Sequence, residues 1–355
     1  MFVHLYSGCR SLVAKSGVGE AILHQREMLT RAGLDTTDHW SPAADILHCN
    51  TIFPDSVWAA RRAKRRGEKV VYYGHSTMED FRNSFKCSNL FAPLFRRWII
   101  HCYEAGDVVI TPTPYSKRLL EGYGIRKPIY ALSNGIDTDF FAPDIDRRLA
   151  WREAYGLRPD EKAVISVGHY IARKGLPDFV ALARELPDIR FFWFGYTNLN
   201  LVPAEIREAI QHAPSNLSFP GYVNREELRN AYCGCDLFAF LSHEETEGIV
   251  VLEALACGIP VLVRDIPVYE DWLEDGVSVY KAQDLIGFRD RLEGILSGAL
   301  PNLTARGRTV AQARSLTATG NRLLEIYAET GLLPQPERLP HPCDTVYAVA
   351  RKKPA

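Results

Sequence analysis

The sequence lacks any long hydrophobic run. Its apolar stretches reach only about half of the ~20 residues that a membrane-spanning helix requires. Residues 1–7 also lack the basic region, the extended apolar core and the cleavage site of a signal peptide. We therefore expect a protein that is either cytosolic or bound to one face of a membrane.

An excess of charge of one sign is also missing, as is a metal-binding cysteine pattern. The 42 Lys and Arg residues nearly cancel the 43 Asp and Glu residues, so no overall field attracts nucleic acid. The eight cysteines are scattered, and Cys233-Gly234-Cys235 has neither the two-residue gap nor the His or Cys partners of a zinc site. We expect no nucleic-acid partner, no metal, and reduced, mostly buried thiols.

What the chain does have is enough apolar sequence for two hydrophobic cores. Hydrophobic residues make up 46% of its 355 residues and aromatic residues 11%, which argues against disorder. A chain of this length usually divides into two domains. A cleft between the domains is therefore the expected place for a ligand.

Short apolar runs alternate with helical patterns, which is typical of parallel sheets covered by helices on both faces. The first part of the chain has predicted strands at 1–7, 45–49, 69–73, 107–111 and 128–132, and helices near 19–32, 56–66, 91–104 and 115–122. The second part has predicted strands at 163–167, 190–194, 216–219, 236–241 and 260–263, and helices near 175–186, 203–212, 225–232, 249–257 and 284–298. The pattern predicts two doubly wound α/β domains in tandem.

A turn-rich stretch separates the two parts. Asn134-Gly135-Ile136-Asp137 ends the first pattern, and the polar residues 144–148 follow Pro143, so we place the interdomain connection there. A last helix is predicted near 320–330. The proline-rich tail beyond it has a composition that resists regular structure.

Acidic residues cluster after predicted strand 236–241, at the strand end where ligands of parallel sheets bind. Gly248 would let a ligand approach the first amides of the next helix, which favour a diphosphate, and Glu245 and Glu253 can face the same cleft. The alternative is an ordinary acidic helix start that stabilises the helix dipole. These residues alone do not decide between the two.

Three further elements lie at equivalent positions. Arg173 and Lys174 follow strand 163–167 and suit a diphosphate, although a solvated basic loop is the alternative. The glycine turn from Gly17 to Gly19 precedes a helix, and by itself it is only a tight turn. His75 follows strand 69–73 and is either a hydrogen-bonding or acid/base group or a structural histidine.

A basic run and an aromatic stripe together suit an anionic membrane face. The basic run comprises Arg61, Arg62, Lys64, Arg65 and Arg66. The stripe comprises Phe91, Leu94, Phe95, Trp98, Ile99 and Cys102, which recur at helical spacing. Arg96 and Arg97 lie outside this face of the helix. A solvated basic helix and a core-facing amphipathic helix are the alternatives.

Taken in order, these elements resemble the retaining glycosyltransferases of the GT-B type, in the large fourth family. The similarity spans nearly the whole chain, and an ordered set is more specific than any one member. The matching elements are Gly17 to Gly19, Thr111-Pro112-Thr113-Pro114-Tyr115-Ser116-Lys117, Asn134-Gly135-Ile136-Asp137, Arg173-Lys174-Gly175, Phe219-Pro220-Gly221-Tyr222-Val223, and the glutamates Glu245 and Glu253. The resemblance implies two Rossmann-like domains that face a central cleft.

The resemblance also implies roles for the matched residues. In the catalytic set, Arg173 and Lys174 would contact the donor diphosphate, and Glu245 and His75 the transferred sugar. Glu253 would hold the ribose. The other implied donor-binding positions are Gly17 and Val18 across the cleft, Tyr222 and Val223 at the base, and Thr246, Gly248, Ile249 and Val250.

Two positions depart from the family pattern. The commoner Glu-Gly-Phe-Gly is Glu245-Thr246-Glu247-Gly248 here, a variant similar to bacterial transferases that glycosylate diacylglycerol. His169 replaces an arginine that often follows the glycine at 168, which affects part of the expected phosphate contacts.

The resemblance thus implies retaining, metal-independent transfer of glucose from UDP-glucose to a membrane lipid such as diacylglycerol, without a cofactor. The membrane-facing residues would be Arg61, Arg62, Arg65, Arg66 and Trp98, and the protein would be cytoplasmic and peripheral on the inner face of the cell membrane. The expected division is an acceptor-side domain at 1–143, a nucleotide-sugar domain at 144–318, and a C-terminal segment from 319 whose helix crosses back. The alternatives are a soluble or lipid-linked saccharide acceptor, a non-catalytic sugar-nucleotide-binding protein and an epimerase.

Overall fold

The computed structural model describes residues 1–9, 13, 16–84, 88–200 and 202–333, which contain two six-stranded sheets. Every strand pairing in both sheets is parallel. The first sheet has the order β2-β1-β3-β4-β5-β6 and consists of β1 (Phe2–Tyr6), β2 (Asp35–Thr37), β3 (Ile46–Cys49), β4 (Lys69–Tyr73), β5 (Val108–Thr111) and β6 (Ile129–Ala131). The second sheet has the order β12-β11-β10-β7-β8-β9 and consists of β7 (Ala163–Val167), β8 (Arg190–Phe194), β9 (Leu217–Gly221), β10 (Leu237–Phe240), β11 (Val261–Arg264) and β12 (Tyr280–Ala282).

Helices connect the strands of both sheets. The helices of the first part are α1 (Gly17–Arg31), α2 (Pro54–Arg65), α3 (Met78–Phe81), α4 (Ser88–Tyr103) and α5 (Pro114–Gly122). Those of the second part are α6 (Ile145–Ala154), α7 (Leu176–Glu185), α8 (Ala204–Gln211), α9 (Arg225–Gly234), α10 (Ile249–Ala256), α11 (Leu285–Ser297), α12 (Thr304–Gln312) and α13 (Leu316–Glu329). We refer to each sheet with its covering helices as the N-terminal and the C-terminal domain.

The central strands are buried on both faces, as their near-continuous apolar runs predicted. In β4, for example, Val70, Val71 and Tyr72 are all completely buried. The predicted two doubly wound parallel sheets are therefore confirmed. Their parallel direction places the carboxyl ends of neighbouring strands, and the loops that follow them, along one edge of each sheet.

The polar residues 144–148, at the end of the stretch where we placed the interdomain connection, are helical from residue 145. The Asp144 side chain caps α6 by accepting hydrogen bonds from the amides of Asp146 and Arg147, both at 3.1 Å. Arg148 and Arg152 of this helix form ion pairs with Asp236 of the C-terminal domain at 2.6 and 3.1 Å. The polar residues therefore belong to a helix that docks on the second sheet.

Four other elements were also missed by the sequence analysis, namely β2, α3, β12 and α12. The strands β2 and β12 have three residues each and α3 has four, which is too short for a period to show. The nine-residue helix α12 follows directly on a proline- and asparagine-containing turn and is mostly polar. The prediction for the proline-rich tail falls outside the described residues.

The last helix returns to the N-terminal domain. Leu316, Leu323 and Ile326 of α13 are fully buried in one core with Val3 and Leu5 of β1. Where the chain crosses back, the Ile136 amide donates to the Arg314 carbonyl and the Leu316 amide donates to the Ile136 carbonyl, both at 3.0 Å. The two interdomain crossings therefore lie side by side and are hydrogen-bonded to each other.

Within the described residues, no helix combines the length and the apolar character needed to cross a membrane. Six cysteines lie in this part of the chain, all as free thiols, and five of them are buried. The cysteines therefore behave as small core residues here, as the sequence analysis expected.

Candidate active site

A cavity of about 350 Å³ opens between the two domains at the carboxyl edges of their sheets. Residues from both domains line it, including every position that the sequence analysis assigned to catalysis or donor binding. These are Gly17, Val18, His75, Arg173, Lys174, Tyr222, Val223, Glu245, Thr246, Gly248, Ile249, Val250 and Glu253. A volume of this size is within the range of small-molecule sites.

Glu245 and Lys174 form a buried ion pair on the C-terminal side of the cavity. The Lys174 Nζ lies 2.5 Å from Glu245 Oε1. Burial alone would raise the pKa of Glu245, but Lys174 and Arg173 outweigh burial and hold that pKa below its ordinary value. Glu245 is therefore an ionised acceptor, suited to hydroxyl donors.

The turn that carries the two cations requires a glycine at its end. Gly175 has φ +76°, and a Cβ atom there would lie only 2.2 Å from the carbonyl oxygen of Leu241 at the end of β10. A larger residue would push this turn away from the strand. Gly175 therefore fixes Lys174 next to the loop that carries Glu245.

Arg173 spans the cavity. Its guanidinium lies 2.8 Å from Asp80 Oδ1 of the N-terminal domain and donates to the Glu244 carbonyl at 2.6 Å. The Nε group also donates to the Ser84 hydroxyl at 3.0 Å. The side chain thus links the domains in this arrangement, and an entering diphosphate would compete with Asp80 for it.

The helix α10 begins at the cavity with Gly248, whose φ is +90°. This left-handed conformation favours glycine, and a Cβ atom there would meet the Tyr269 hydroxyl at 3.0 Å. The first amides of a helix lack intrahelical partners, and they point toward whatever lies beyond the N-terminus. Ile249 and Val250 therefore offer N–H groups and the positive end of the helix dipole to an anion.

Glu253 lies further along the same helix and receives a hydrogen bond from the Tyr232 hydroxyl at 2.8 Å. Burial raises the pKa of Glu253 to about 7, although the bond from Tyr232 and the charge of Arg225 oppose the shift. This carboxyl group therefore changes protonation near neutral pH.

His75 stands on the opposite wall, after β4. Its Nε2 lies 3.3 Å from Asn50 Oδ1, which also accepts a hydrogen bond from Gln25 at 2.6 Å. In the tautomer that pairs Nε2 with this oxygen as acceptor, Nε2 carries the hydrogen and Nδ1 is an acceptor. Burial lowers the pKa of His75 to about 4, so the ring is neutral.

Some cavity residues were not assigned a role from the sequence. Asn134 lies in the turn Asn134-Gly135-Ile136-Asp137 that the sequence already marked, and Asp80 follows His75 by five positions. The other unassigned members are Ser16, Glu20, Val167, Gly168, His169, Gly195, Tyr196, Arg225, Leu228 and Glu247. Glu20, Arg225 and Leu228 face the cavity because of how their helices pack, for which a single sequence carries no signal, whereas most of the others lie in the loops that follow the strands.

The predicted membrane-facing residues lie outside the cavity. Arg61, Arg62 and Arg65 are exposed on α2, and the Arg62 guanidinium covers the Trp58 ring at 5.2 Å. Arg66 forms an ion pair with Glu68 at 2.6 Å. Trp98 is half-buried, and its indole donates to the Ile52 carbonyl at 2.7 Å.

The chain matches two protein-family models. Residues 147–309 match the model described as "Glycosyl transferases group 1", and residues 28–140 match the model described as "Glycosyltransferase Family 4". Together they cover most of both domains.

Two relatives act on lipids according to their names. A processive diacylglycerol alpha-glucosyltransferase of Acholeplasma laidlawii is 38% identical over 330 residues, which cover 93% of this chain and 98% of that protein. An alpha-galactosylglucosyldiacylglycerol synthase of Streptococcus pneumoniae is 28% identical over 270 residues, covering 74% of this chain and 72% of that protein.

Solved structures share the fold. The Anabaena protein HepE in complex with UDP-glucose superposes with a TM-score of 0.74 at 16% identity, over 93% of this chain and 100% of that chain. Sucrose-phosphate synthase of Thermosynechococcus elongatus superposes with a TM-score of 0.75 at 17% identity, over 93% and 98%. At such low identity these structures show the fold alone, and the expected GT-B fold is confirmed.

Proposed function

The chain belongs to the glycosyltransferases of family 4, and on that premise we propose that it transfers glucose from UDP-glucose to a membrane lipid such as diacylglycerol. The likeness to a diacylglycerol glucosyltransferase over nearly the whole of both chains carries the proposal. The charged cavity between the two domains supports the nucleotide-sugar donor, because it combines cations, a helix N-terminus and acceptor carboxylates.

The two domains divide the work in this proposal. Residues 1–143 form the acceptor side, residues 144–318 hold the nucleotide sugar, and the helix of the C-terminal segment from 319 completes the acceptor side. The buried contacts of Leu323 and Ile326 with Val3 and Leu5 support the last assignment.

The donor would lie along the C-terminal wall. The base rests at Tyr222 and Val223, the ribose hydroxyls donate to Glu253, and the diphosphate meets the Ile249 and Val250 amides. The remaining contacts come from Gly17 and Val18 across the cleft and from Thr246 and Gly248 in the loop.

The transferred sugar would lie between Glu245 and His75. Glu245 accepts hydrogen bonds from the sugar hydroxyls, and the unprotonated Nδ1 of His75 accepts one from the opposite wall. Lys174, which is paired with Glu245, also approaches the diphosphate. Arg173 leaves Asp80 to join it.

In the reaction the bond between the anomeric carbon and the diphosphate oxygen breaks, and the acceptor oxygen bonds to the same face of that carbon. The acceptor proton passes to the departing diphosphate, so the products are glucosyl lipid and UDP. Lys174, Arg173 and the α10 amides stabilise the charge that develops on the diphosphate. No side-chain nucleophile and no metal ion take part in this scheme.

A surface of the N-terminal domain would hold the protein on the inner face of the cell membrane as a peripheral cytoplasmic protein. On α4, residues 90, 94, 97 and 101 share one face by helical spacing, and His101 lies 3.0 Å from Arg61 of α2. The exposed apolar residues there include Leu90 at 75%, Leu94 at 59% and Trp58 at 60% exposure. Apolar side chains beside arginines suit an anionic bilayer surface.

The experiment is a transfer assay with labelled UDP-glucose and either anionic vesicles that contain diacylglycerol or soluble glycans. We expect label in the lipid, and we expect Glu245→Ala to abolish transfer while Glu205→Ala, an exposed change on α8, leaves it intact. Label in soluble glycan alone, or conversion of the nucleotide sugar without an acceptor, would contradict the lipid proposal. Full activity in Glu245→Ala would contradict the assigned site.

A further inference from the structure

Residues 244–247, which we call the donor loop, are held by both domains. Glu245 pairs with Lys174 of the C-terminal domain, as described above. The loop residues on either side of Glu245 are bound by the N-terminal domain. The Tyr115 hydroxyl donates to Glu244 Oε1 at 3.0 Å, and the Thr113 hydroxyl donates to the Thr246 carbonyl at 2.9 Å. The loop therefore cannot keep its present contacts if the domains move apart.

Glu247 makes the most deeply buried of these contacts. Its side chain accepts hydrogen bonds at Oε2 from the backbone amide of Asn134 at 3.0 Å and from its side-chain Nδ2 at 2.7 Å. The residue is only 1% exposed, and its Oε1 has no hydrogen-bond partner among the described residues. A buried carboxyl group is costly without such bonds, so its position is tied to Asn134.

Asn134 in turn lies at the junction of the domains. It precedes Gly135, which has φ +75° and packs against Leu316, and Ile136, which is hydrogen-bonded to both neighbours of Ser315. The contact of Glu247 with Asn134 thus joins the donor loop to the paired interdomain crossings. A rotation at these crossings would pull directly on the loop.

We infer that Glu247 is a positioning residue that holds Glu245 toward the transferred sugar while the two domains are docked. Glu247 touches neither the nucleotide nor the reacting atoms in this scheme. Its removal lets the loop relax, so that Glu245 loses its place although the nucleotide site on α10 stays intact. This inference rests on the proposed function, because it assumes that the donor sugar lies at Glu245.

A merely structural role for Glu247 predicts a different result from a positioning role. Loss of a structural carboxyl group would lower stability, or weaken every ligand of the cavity together. Loss of a positioning group should weaken UDP-glucose and leave UDP unchanged, because UDP lacks the sugar that Glu245 holds. The two ligands therefore separate the roles.

The test measures kcat/KM for transfer, thermal stability, and the binding of UDP and of UDP-glucose by calorimetry. In Glu247→Ala, which loses both bonds to Asn134, we expect kcat/KM and UDP-glucose affinity to fall about 10- to 100-fold with UDP affinity unchanged. Glu247→Gln keeps an oxygen that can face Asn134, so it should recover most of the loss. Asn134→Ala keeps only the backbone donor. Its losses of kcat/KM and UDP-glucose affinity should lie between those of Glu247→Gln and Glu247→Ala.

Glu205→Ala serves as the matched control for removal of a carboxylate. The inference is overturned if Glu247→Ala behaves like this control, if it weakens UDP and UDP-glucose equally, or if Glu247→Gln is as damaging as Glu247→Ala. Should Glu247→Ala fail to fold, the comparison of Glu247→Gln with Asn134→Ala still decides. A wild-type protein that does not turn over UDP-glucose would instead contradict the proposed function, and the inference with it.

Discussion

The two walls of the cavity share one architecture and differ in chemistry. Each wall is the carboxyl edge of a six-stranded parallel sheet. The C-terminal wall carries the cations Arg173 and Lys174 and the start of α10, whereas the N-terminal wall presents a neutral His75 and the carboxyl groups of Glu20 and Asp80. The fold thus supplies two equivalent edges, and side chains make one of them the cationic side.

The difference also appears outside the cavity. The aromatic side chains exposed beside basic residues on α2 and α4, Trp58 and Phe91, belong to the N-terminal domain. One domain therefore combines a cavity wall without lysine or arginine among its described residues with a basic and apolar outer surface. The proposed function accordingly gives donor chemistry to one domain and contact with the acceptor membrane to the other.

The largest expected effect would come from removing a cation from the cationic wall. Lys174→Ala leaves Glu245 buried without its partner and takes a positive charge from the diphosphate, so we expect transfer to fall about 100- to 1,000-fold in kcat/KM. Lys162→Ala, an exposed change just before β7, is the matched control. If Lys174→Ala keeps activity close to that of the control, the cationic wall is not the catalytic side.

A smaller effect is expected from the outer surface of the other domain. The triple change of Arg61, Arg62 and Arg65 to Gln should lower binding to anionic vesicles at least about 10-fold, since each charge near such a surface contributes about 1 kcal/mol. Cosedimentation at low and raised salt measures this loss.

Two single variants sharpen the comparison on vesicles. Arg66→Gln should lower binding to anionic vesicles less than Arg62→Gln does, because Arg66 is already paired with Glu68. Arg306→Gln, an exposed change on α12 of the C-terminal domain, should have no effect. Equal losses in all three variants would show that net charge, not this surface, governs binding.

The smallest expected effect is the pH dependence of nucleotide binding. Because burial raises the pKa of Glu253 to about 7, UDP affinity should rise several-fold as the pH increases from about 6 to about 8 and the carboxylate forms. Calorimetry on wild type and Glu253→Gln checks this. UDP itself titrates identically in both experiments, so an equal pH response in the two proteins would exclude Glu253 as the cause.

The raised pKa of Glu253 also determines how this residue makes the free energy of unfolding depend on pH. The folded-state pKa of Glu253 lies above that of an unfolded chain, so the folded protein binds the proton more tightly. The stability that this proton gives to the folded state is fully present below the pKa of Glu253 in the unfolded chain. It is lost as the pH rises through about 7. It amounts to about 3 kcal/mol at most, and Glu253→Gln should flatten this part of the stability profile.

Sequence patterns predicted the sheets and many of the residues that line the cavity, for identifiable reasons. Fully apolar strands such as β4 and glycine turns such as Gly248 leave local signals that need no partner. Contacts that depend on domain docking leave none: Arg173 was assigned to the diphosphate, but its bond to Asp80 could be seen only in three dimensions. Glu247 appeared merely as a departure from a motif until its bonds to Asn134 explained it.

At residues 145–148 the sequence did carry a signal, but the signal suggested a different structure. Their polarity suggested a linker, yet Arg148 lies in α6 and its charge serves an ion pair with Asp236 of the same C-terminal domain. A polar residue that serves an ion pair looks the same in sequence as one that faces water. Edge strands of three residues fail for a simpler reason, since they are shorter than the patterns used to find them.

The paired crossings at Ile136 and Arg314 have a mechanical consequence. A single linker would allow one domain to rotate freely against the other. Here two adjacent chain segments, joined by hydrogen bonds, connect the domains. Such a double connection restricts rotation of one domain against the other more than a single strand of chain would. Under the proposed function, it would therefore help to keep His75 of one wall aligned with Glu245 of the other.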